Sequence, residues 1–198
     1  FLFLSHLSWL FLLSIVSLIC WYEFINLLKK IWKSKSIVIL PIALSFLFLF
    51  LFLYAAYIIK IDQGESFLLF ILSICIFSDI GGYVVGKNVG GKKLTKISPN
   101  KTVSGTVGSF LFSLFPLSIL IILENYLFID IKNDHTMILF CLIISLSCQL
   151  GDLIISFFKR MAKVKDTGNI LPGHGGMLDR IDGIIFAIPT SLFISYLL

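Results

Sequence analysis

Four aspartates of this chain stand where a lipid-soluble segment would normally carry none. Asp79 lies in Ser-Asp-Ile-Gly-Gly-Tyr, Asp152 follows a 14-residue apolar stretch in Gln-Leu-Gly-Asp-Leu, and Asp179 and Asp182 flank Arg180 at the start of the last apolar run. A carboxylate near membrane depth costs a few kcal/mol even on the lenient insertion scale, so it normally faces a bundle interior or a polar cavity with a partner. Asp152 and Ser156 are four residues apart, with Lys159 one turn later, and Asp179 and Asp182 are three apart. Each pair therefore shares a helical face. Oxygen ligands from two helices, meeting where a polar substrate enters, suit a hard cation such as Mg2+. The competing reading is a set of intramembrane ion pairs, for example Asp179 or Asp182 with Arg160 or Lys165. Glu23 and Glu124 read as interfacial residues without a role.

Glycines gather in the same region. Gly82, Gly86 and Gly90 recur every four residues, the small-residue spacing that lets helices approach closely. The run Pro172-Gly173-His174-Gly175-Gly176 cannot extend a helix, and its free N–H groups suit phosphate oxygens.

The elements that position these residues follow from composition. The chain is 58% hydrophobic and 14% charged, with twenty Phe among its 198 residues. Its mean hydropathy is +1.02. A soluble core of this size cannot hide so much apolar surface, whereas lipid solvates it. A span needs roughly 20 apolar residues, and backbone groups in lipid must pair within a helix. Six runs qualify: 1–28, 37–59, 67–86, 107–129, 137–158 and 179–198. The expected fold is an all-α polytopic membrane protein of about six transmembrane helices. Residues 1–66 form an N-terminal pair of spans, and residues 67–198 form the region that carries the chemistry. The chain opens on Phe1 rather than Met, so its true start is expected upstream, and the long first run reads as a span rather than a signal peptide. Cys20, Cys75, Cys141 and Cys148 fall inside apolar runs without metal-site spacing and read as small buried hydrophobes.

Thirteen of the 16 Lys and Arg residues fall in the alternate connections 29–36, 87–106 and 159–178. By the positive-inside rule these three loops face the cytoplasm. The four aspartates then share the cytoplasmic leaflet, and the net charge of +5 is a feature of that surface. Nucleic acid is not an expected partner, since no basic groove with interleaved aromatic residues is present.

The stretch Ser156 to Asp182 contains Ser156, Lys159-Arg160, Lys165-Asp166, Gly168, Leu171-Pro172, His174-Gly175-Gly176, Asp179-Arg180 and Asp182. It resembles the motif of the phosphatidate cytidylyltransferases (CDP-diacylglycerol synthases), with every specified position present over 27 residues. Ser78-Asp79-Ile80-Gly81-Gly82-Tyr83, Gly86 and Ile97-Ser98-Pro99-Asn100-Lys101-Thr102 resemble the family's second region. The likeness covers about the C-terminal 120 residues. It departs after Lys101-Thr102, where the family usually has Trp-Glu-Gly and this chain has Val103-Ser104-Gly105.

The resemblance implies attack of a phosphatidic acid phosphate oxygen on the α-phosphate of CTP, with pyrophosphate leaving. No protein nucleophile is needed, because such transfer runs on positioning and charge neutralisation. On this implication Asp152, Asp179 and Asp182 hold Mg2+, with room for a second, monovalent cation. Lys159, Arg160 and Lys165 bind phosphate groups, Asp166 orients one of those cations or adds to the metal site, and His174 contacts pyrophosphate or makes a structural hydrogen bond. Ser156, Gly175, Gly176 and Arg180, together with Asp79, Tyr83 and Lys101, complete the expected substrate contacts. Asp152, Asp179, Lys165 and His174 are the residues expected to act in catalysis. A homodimer in a bacterial inner membrane, its site facing the cytoplasm, completes the expectation. Two other readings stand beside it: a CTP-dependent polyprenol (dolichol-type) kinase, which transfers the γ-phosphate, and a cation or proton transporter. The CDP-alcohol phosphatidyltransferase pattern is not met, as Asp182-Gly183 is followed by Ile-Ile-Phe-Ala. A transporter would hold its acids nearer the midplane, commonly with internal repeats.

Overall fold

Uninterrupted apolar runs without internal charge fold as helices that satisfy their own backbone groups. The computed structural model describes residues 6–32, 34–95, 97–127, 134–170, 173 and 175–197. It contains α1 (His6–Ile31), α2 (Lys35–Asp62), α3 (Glu65–Val89), α4 (Val103–Ser113), α5 (Phe115–Leu127), α6 (Asp134–Met161) and α7 (Leu178–Ser195). No β-strand forms among the described residues, and Lys93 and Thr102 make an isolated antiparallel bridge. The chain is an all-α polytopic membrane protein. Among the described residues, five segments are long and apolar enough to cross a membrane. The sixth expected span is α7, which has Asp179, Arg180 and Asp182 in its first turns and therefore falls short of that measure on composition.

Large apolar side chains point outward along the helices, including Leu40 at 67% exposure and Leu47 at 63%. Such continuous apolar surface is untenable in water and ordinary in lipid. Inside, one hydrophobic core runs from Trp9 and Cys20 through Phe52, Ile59, Ile71 and Ile144 to Ile185 and Ile188. The four cysteines are free and buried.

The fourth expected span is two helices rather than one. Pro116 lacks an N–H, and its ring crowds the preceding turn, so α4 stops at Ser113 and α5 restarts at Phe115. The junction is closed by Leu114 N donating to Leu111 O at 3.4 Å, a tighter three-residue turn.

Close helix approach is concentrated where the aspartates are. A Cβ on Gly81 would lie 2.5 Å from the Gly108 carbonyl oxygen, and one on Gly105 would lie 2.8 Å from the Gly82 carbonyl oxygen. α3 and α4 thus meet backbone to backbone, and a Cβ on Gly86 would lie 3.0 Å from the Thr102 hydroxyl oxygen. Gly90 has a different task from Gly82 and Gly86: at φ 64° it ends α3, and its absent Cβ would face open space. A Cβ on Gly151 would lie 2.6 Å from the Asp182 carbonyl oxygen, so α6 and α7 also touch directly beside Asp152.

Two of the basic connections meet at one end of the bundle, where Arg160 Nε, in the last turn of α6, donates to Ile97 O in the loop after α3 at 3.2 Å. At the opposite end, buried Lys60 pairs with Glu65 at 3.1 Å and lies 4.8 Å from the Trp9 ring centroid.

Candidate active site

The loop between α3 and α4 is shaped to deliver Lys101. Leu94 N donates to Lys101 O at 2.9 Å and Val103 N donates to Lys92 O at 3.0 Å, which holds residues 92–94 against 101–103. Thr102 then caps α4, its hydroxyl accepting from Gly105 N at 3.0 Å. With the backbone so held, the Lys101 ammonium pairs with Asp152 Oδ2 across the gap to α6. Asp152 Oδ1 accepts from the Ser156 hydroxyl at 3.1 Å, one turn on, as their spacing predicts.

The other side is built by the connection from α6 to α7. Lys163, at φ 56°, closes α6: Val164 N donates to Lys159 O at 3.0 Å and Lys163 N to Arg160 O at 3.1 Å. This paired closure turns the chain back across the helix end. Asp179 then receives Thr167 N at 2.8 Å, the Thr167 hydroxyl at 3.0 Å and Gly176 N at 3.0 Å on Oδ2. Its Oδ1 takes Lys159 Nζ at 2.8 Å, with both side chains largely buried. Asp182 accepts from Gly183 N at 2.8 Å.

These groups line a cavity of about 410 Å3 among α3, α4, α6 and α7. Asp79, Tyr83, Lys101, Asp152, Lys159, Asp179 and Asp182 all contribute to its wall, with Ser98, Asn100, Thr106, Ser109 and Gln149. Four carboxylates therefore face two ammonium groups, and each ammonium is already paired. A polyphosphate entering such a wall meets an excess of negative charge unless a cation comes with it. A second, apolar cavity of about 400 Å3 lies among α1, α2, α6 and α7, walled by Phe24, Leu44, Phe48, Ile154, Phe158 and Phe186. Asp182 borders both.

The family model described as "Cytidylyltransferase family" matches residues 1–198. The chain belongs to the cytidylyltransferase family. Three relatives named phosphatidate cytidylyltransferase show the degree of likeness. Those of Staphylococcus epidermidis and Staphylococcus aureus are 43% identical over 129 residues and 44% identical over 130 residues. The one of Staphylococcus saprophyticus is 43% identical over 130 residues. Each match covers 64% of this chain and 48% of the relative. The chain spans about half the length of the curated relatives it matches.

The expected site residues separate into two groups. Asp79, Tyr83, Lys101, Asp152, Lys159, Asp179 and Asp182 come together at the cavity, and Ser156 supports it from a buried position. Arg160, Lys165, Asp166 and Arg180 are exposed and are not part of the cavity wall. The left-handed turn at Lys163 carries Lys165 and Asp166 off the α6 face that bears Asp152, which spacing along the chain does not reveal. The Gly176 amide, expected to be free for phosphate, donates inward to Asp179. Gly175 is not itself in the cavity wall but adjoins Asp166 and the wall residue Asp179. His174 lies outside the described residues. The ion pair of Asp179 is with Lys159, not with Arg160 or Lys165.

Ser104, where the resemblance leads to an expectation of Glu, works locally. Its hydroxyl donates to Gly90 O and lies 3.0 Å from the Thr102 hydroxyl, tying the end of α3 to the start of α4.

One residue was missed outright. Glu23 is not interfacial but 2% exposed, and it accepts from the Thr167 hydroxyl, Met177 N and Leu178 N. Its one signal in the sequence was a lone acid six residues inside the basic end of an apolar helix.

Among the described residues no three His, Cys, Asp or Glu side chains gather closely enough to hold a metal ion between them. Mg2+ is commonly held by one or two carboxylates, the remainder coming from water and substrate phosphate. Asp152 and Asp182, facing one cavity from adjoining helices, fit that smaller requirement. Asp179, with four donors on its two oxygens, has the least capacity left for a metal.

Proposed function

We propose that this chain carries the catalytic region of a phosphatidate cytidylyltransferase, joining CTP to phosphatidic acid to give CDP-diacylglycerol and pyrophosphate. The observation that carries the reading is that a charged cavity and an apolar groove adjoin at Asp182. A polar nucleotide and a lipid head group can meet there while the acyl chains stay in apolar surroundings. A polyprenol kinase would use the same kinds of cavity. It is disfavoured by the named relatives and by the complete Ser156–Asp182 pattern.

In this reading Asp152 and Asp182 hold Mg2+, which neutralises charge on the phosphate oxygens when bound. Lys159 and Lys101 exchange their carboxylate partners for phosphate oxygens as substrate enters, Lys acting as a point charge. Gln149, Ser98 and Asn100 supply neutral hydrogen-bonding groups around the nucleotide. The phosphatidic acid oxygen attacks the α-phosphorus of CTP, the bond to the β-phosphate oxygen breaks, and pyrophosphate leaves. Homodimerisation and residence in a bacterial inner membrane belong to the same proposal.

Purified full-length protein given labelled CTP and phosphatidic acid is expected to release pyrophosphate and form CDP-diacylglycerol, and to stop when Mg2+ is chelated. Appearance of CDP with a phosphorylated lipid would replace this reading with the kinase.

The basic loops are proposed to face the cytoplasm. Ser34→Cys, Ser98→Cys and Asn169→Cys report each loop separately, since the four native thiols are buried. None is expected to react with an impermeant thiol reagent added outside sealed cells, and all three are expected to react after lysis. Labelling from outside at any of the three overturns the orientation.

A further inference from the structure

Glu23 is a buried carboxylate on α1, and none of the ion pairs among the described residues includes it. Three donors converge on it: the Thr167 hydroxyl at 2.9 Å, Met177 N at 3.1 Å and Leu178 N at 2.9 Å. The two amides belong to the first turn of α7, where backbone N–H groups have no helical acceptor and the helix dipole favours an anion. The loop makes room for this carboxylate. A Cβ on Gly168 would come within 2.5 Å of Glu23 Oε1, and one on Gly176 within 2.5 Å of Oε2. Two loop glycines thus serve the seat of Glu23.

Thr167 connects this seat to the cavity. Its hydroxyl lies 2.9 Å from Glu23 Oε2 and 3.0 Å from Asp179 Oδ2, and its amide donates to Asp179 at 2.8 Å. Asp179 in turn holds Lys159 at the cavity wall. Glu23 itself does not line that cavity.

We propose that Glu23 is a positioning residue: from α1 it fixes Thr167 and the start of α7, and through them the places of Asp179 and Lys159. A carboxylate suits the position and an amide does not. Two N–H donors and a hydroxyl point at its two oxygens, and an NH2 group would face at least one donor with another. The proposal rests on the cytidylyl-transfer reading for its kinetic consequence, but not for its structural one.

The test uses the full-length protein in detergent. Glu23→Gln is expected to lower kcat/KM about 100-fold, the loss that follows a displacement of about 1 Å in a reacting site. Thr167→Val is expected to do the same, and Thr167→Ser to restore most of the loss. The double variant Glu23→Gln, Thr167→Val should be little worse than either single one, since both act through one connection. Lys60→Met, which breaks the ion pair at the far end of the bundle, reports the effect of lowered stability alone and should leave kcat/KM within about twofold. Amine labelling of Lys159, read by mass spectrometry, gives a readout independent of turnover. It should be faster in Glu23→Gln than in the parent protein, with Lys92 unchanged.

Single losses that multiply in the double variant, or near-parental kcat/KM and Lys159 labelling in folded Glu23→Gln, overturn the proposal. If Glu23→Gln does not fold, Thr167→Val against Thr167→Ser decides it: equal activity and equal Lys159 labelling in these two overturn it. A parent protein that transfers no cytidylyl group overturns the functional reading instead, and the Lys159 labelling then decides the inference.

Discussion

Asp152→Asn is expected to lower kcat by about 10³-fold while leaving the fold intact. The side chain keeps its shape, and an amide can still meet Lys101 and the Ser156 hydroxyl. What is lost is the negative charge that, in the proposed reading, attracts Mg2+ to the wall shared with Asp182. The Asp152 side chain is about one-third exposed, so its ion pair with Lys101 is solvent-screened and contributes no more than about 1 kcal/mol. Thermal unfolding in detergent should therefore shift little while turnover collapses. A variant that turns over within about tenfold of the parent rules out Asp152 as the residue that holds the cation.

Asp179→Ala should behave differently, because Asp179 is committed to the protein's own donors. The substitution strands the Lys159 ammonium, whose side chain is 13% exposed, and leaves Thr167 N and Gly176 N without their acceptor. Removing one partner of such a buried pair costs about 3–5 kcal/mol. In a chain of this size that corresponds to a fall in Tm of roughly 6 °C or more. Turnover should fall as well, since Lys159 loses its tether at the cavity. Measuring Tm and kcat together separates the two readings of this residue. Lost turnover at unchanged Tm would make Asp179 a metal ligand first and a tether second.

The contrast between these aspartates explains why sequence spacing went only part of the way. Asp152 and Ser156 lie on one continuous helix, so a four-residue spacing already dictates their contact. Asp179 and Asp182 also share a helix, and both do face the cavity. Their partners, however, come from other elements. The pairing of Lys101 with Asp152 needs residues 92–94 held against 101–103, and that of Lys159 with Asp179 needs the reversal at Lys163. A left-handed lysine leaves no mark in composition, so spacing along the chain does not show that Lys165 and Asp166 leave the α6 face that bears Asp152. The glycine run read as a phosphate cradle on the same ground. Only the fold turns the Gly176 amide inward, toward Asp179.

The chain's own composition determined that it is a membrane protein of helices, because lipid offers unpaired backbone groups no partner and apolar side chains no penalty. The six expected spans correspond to α1, α2, α3, the α4–α5 pair, α6 and α7. The fourth of these, read from the sequence as one run over 107–129, breaks at Leu114, just ahead of Pro116. Tertiary structure decided which polar groups meet. Glu23 is the clearest case: 144 residues separate it from Thr167 and 155 from Leu178, and no periodicity spans such distances. Its role exists only because α1 packs beside the start of α7. There the unpaired amides of one helix and the buried charge of another satisfy each other.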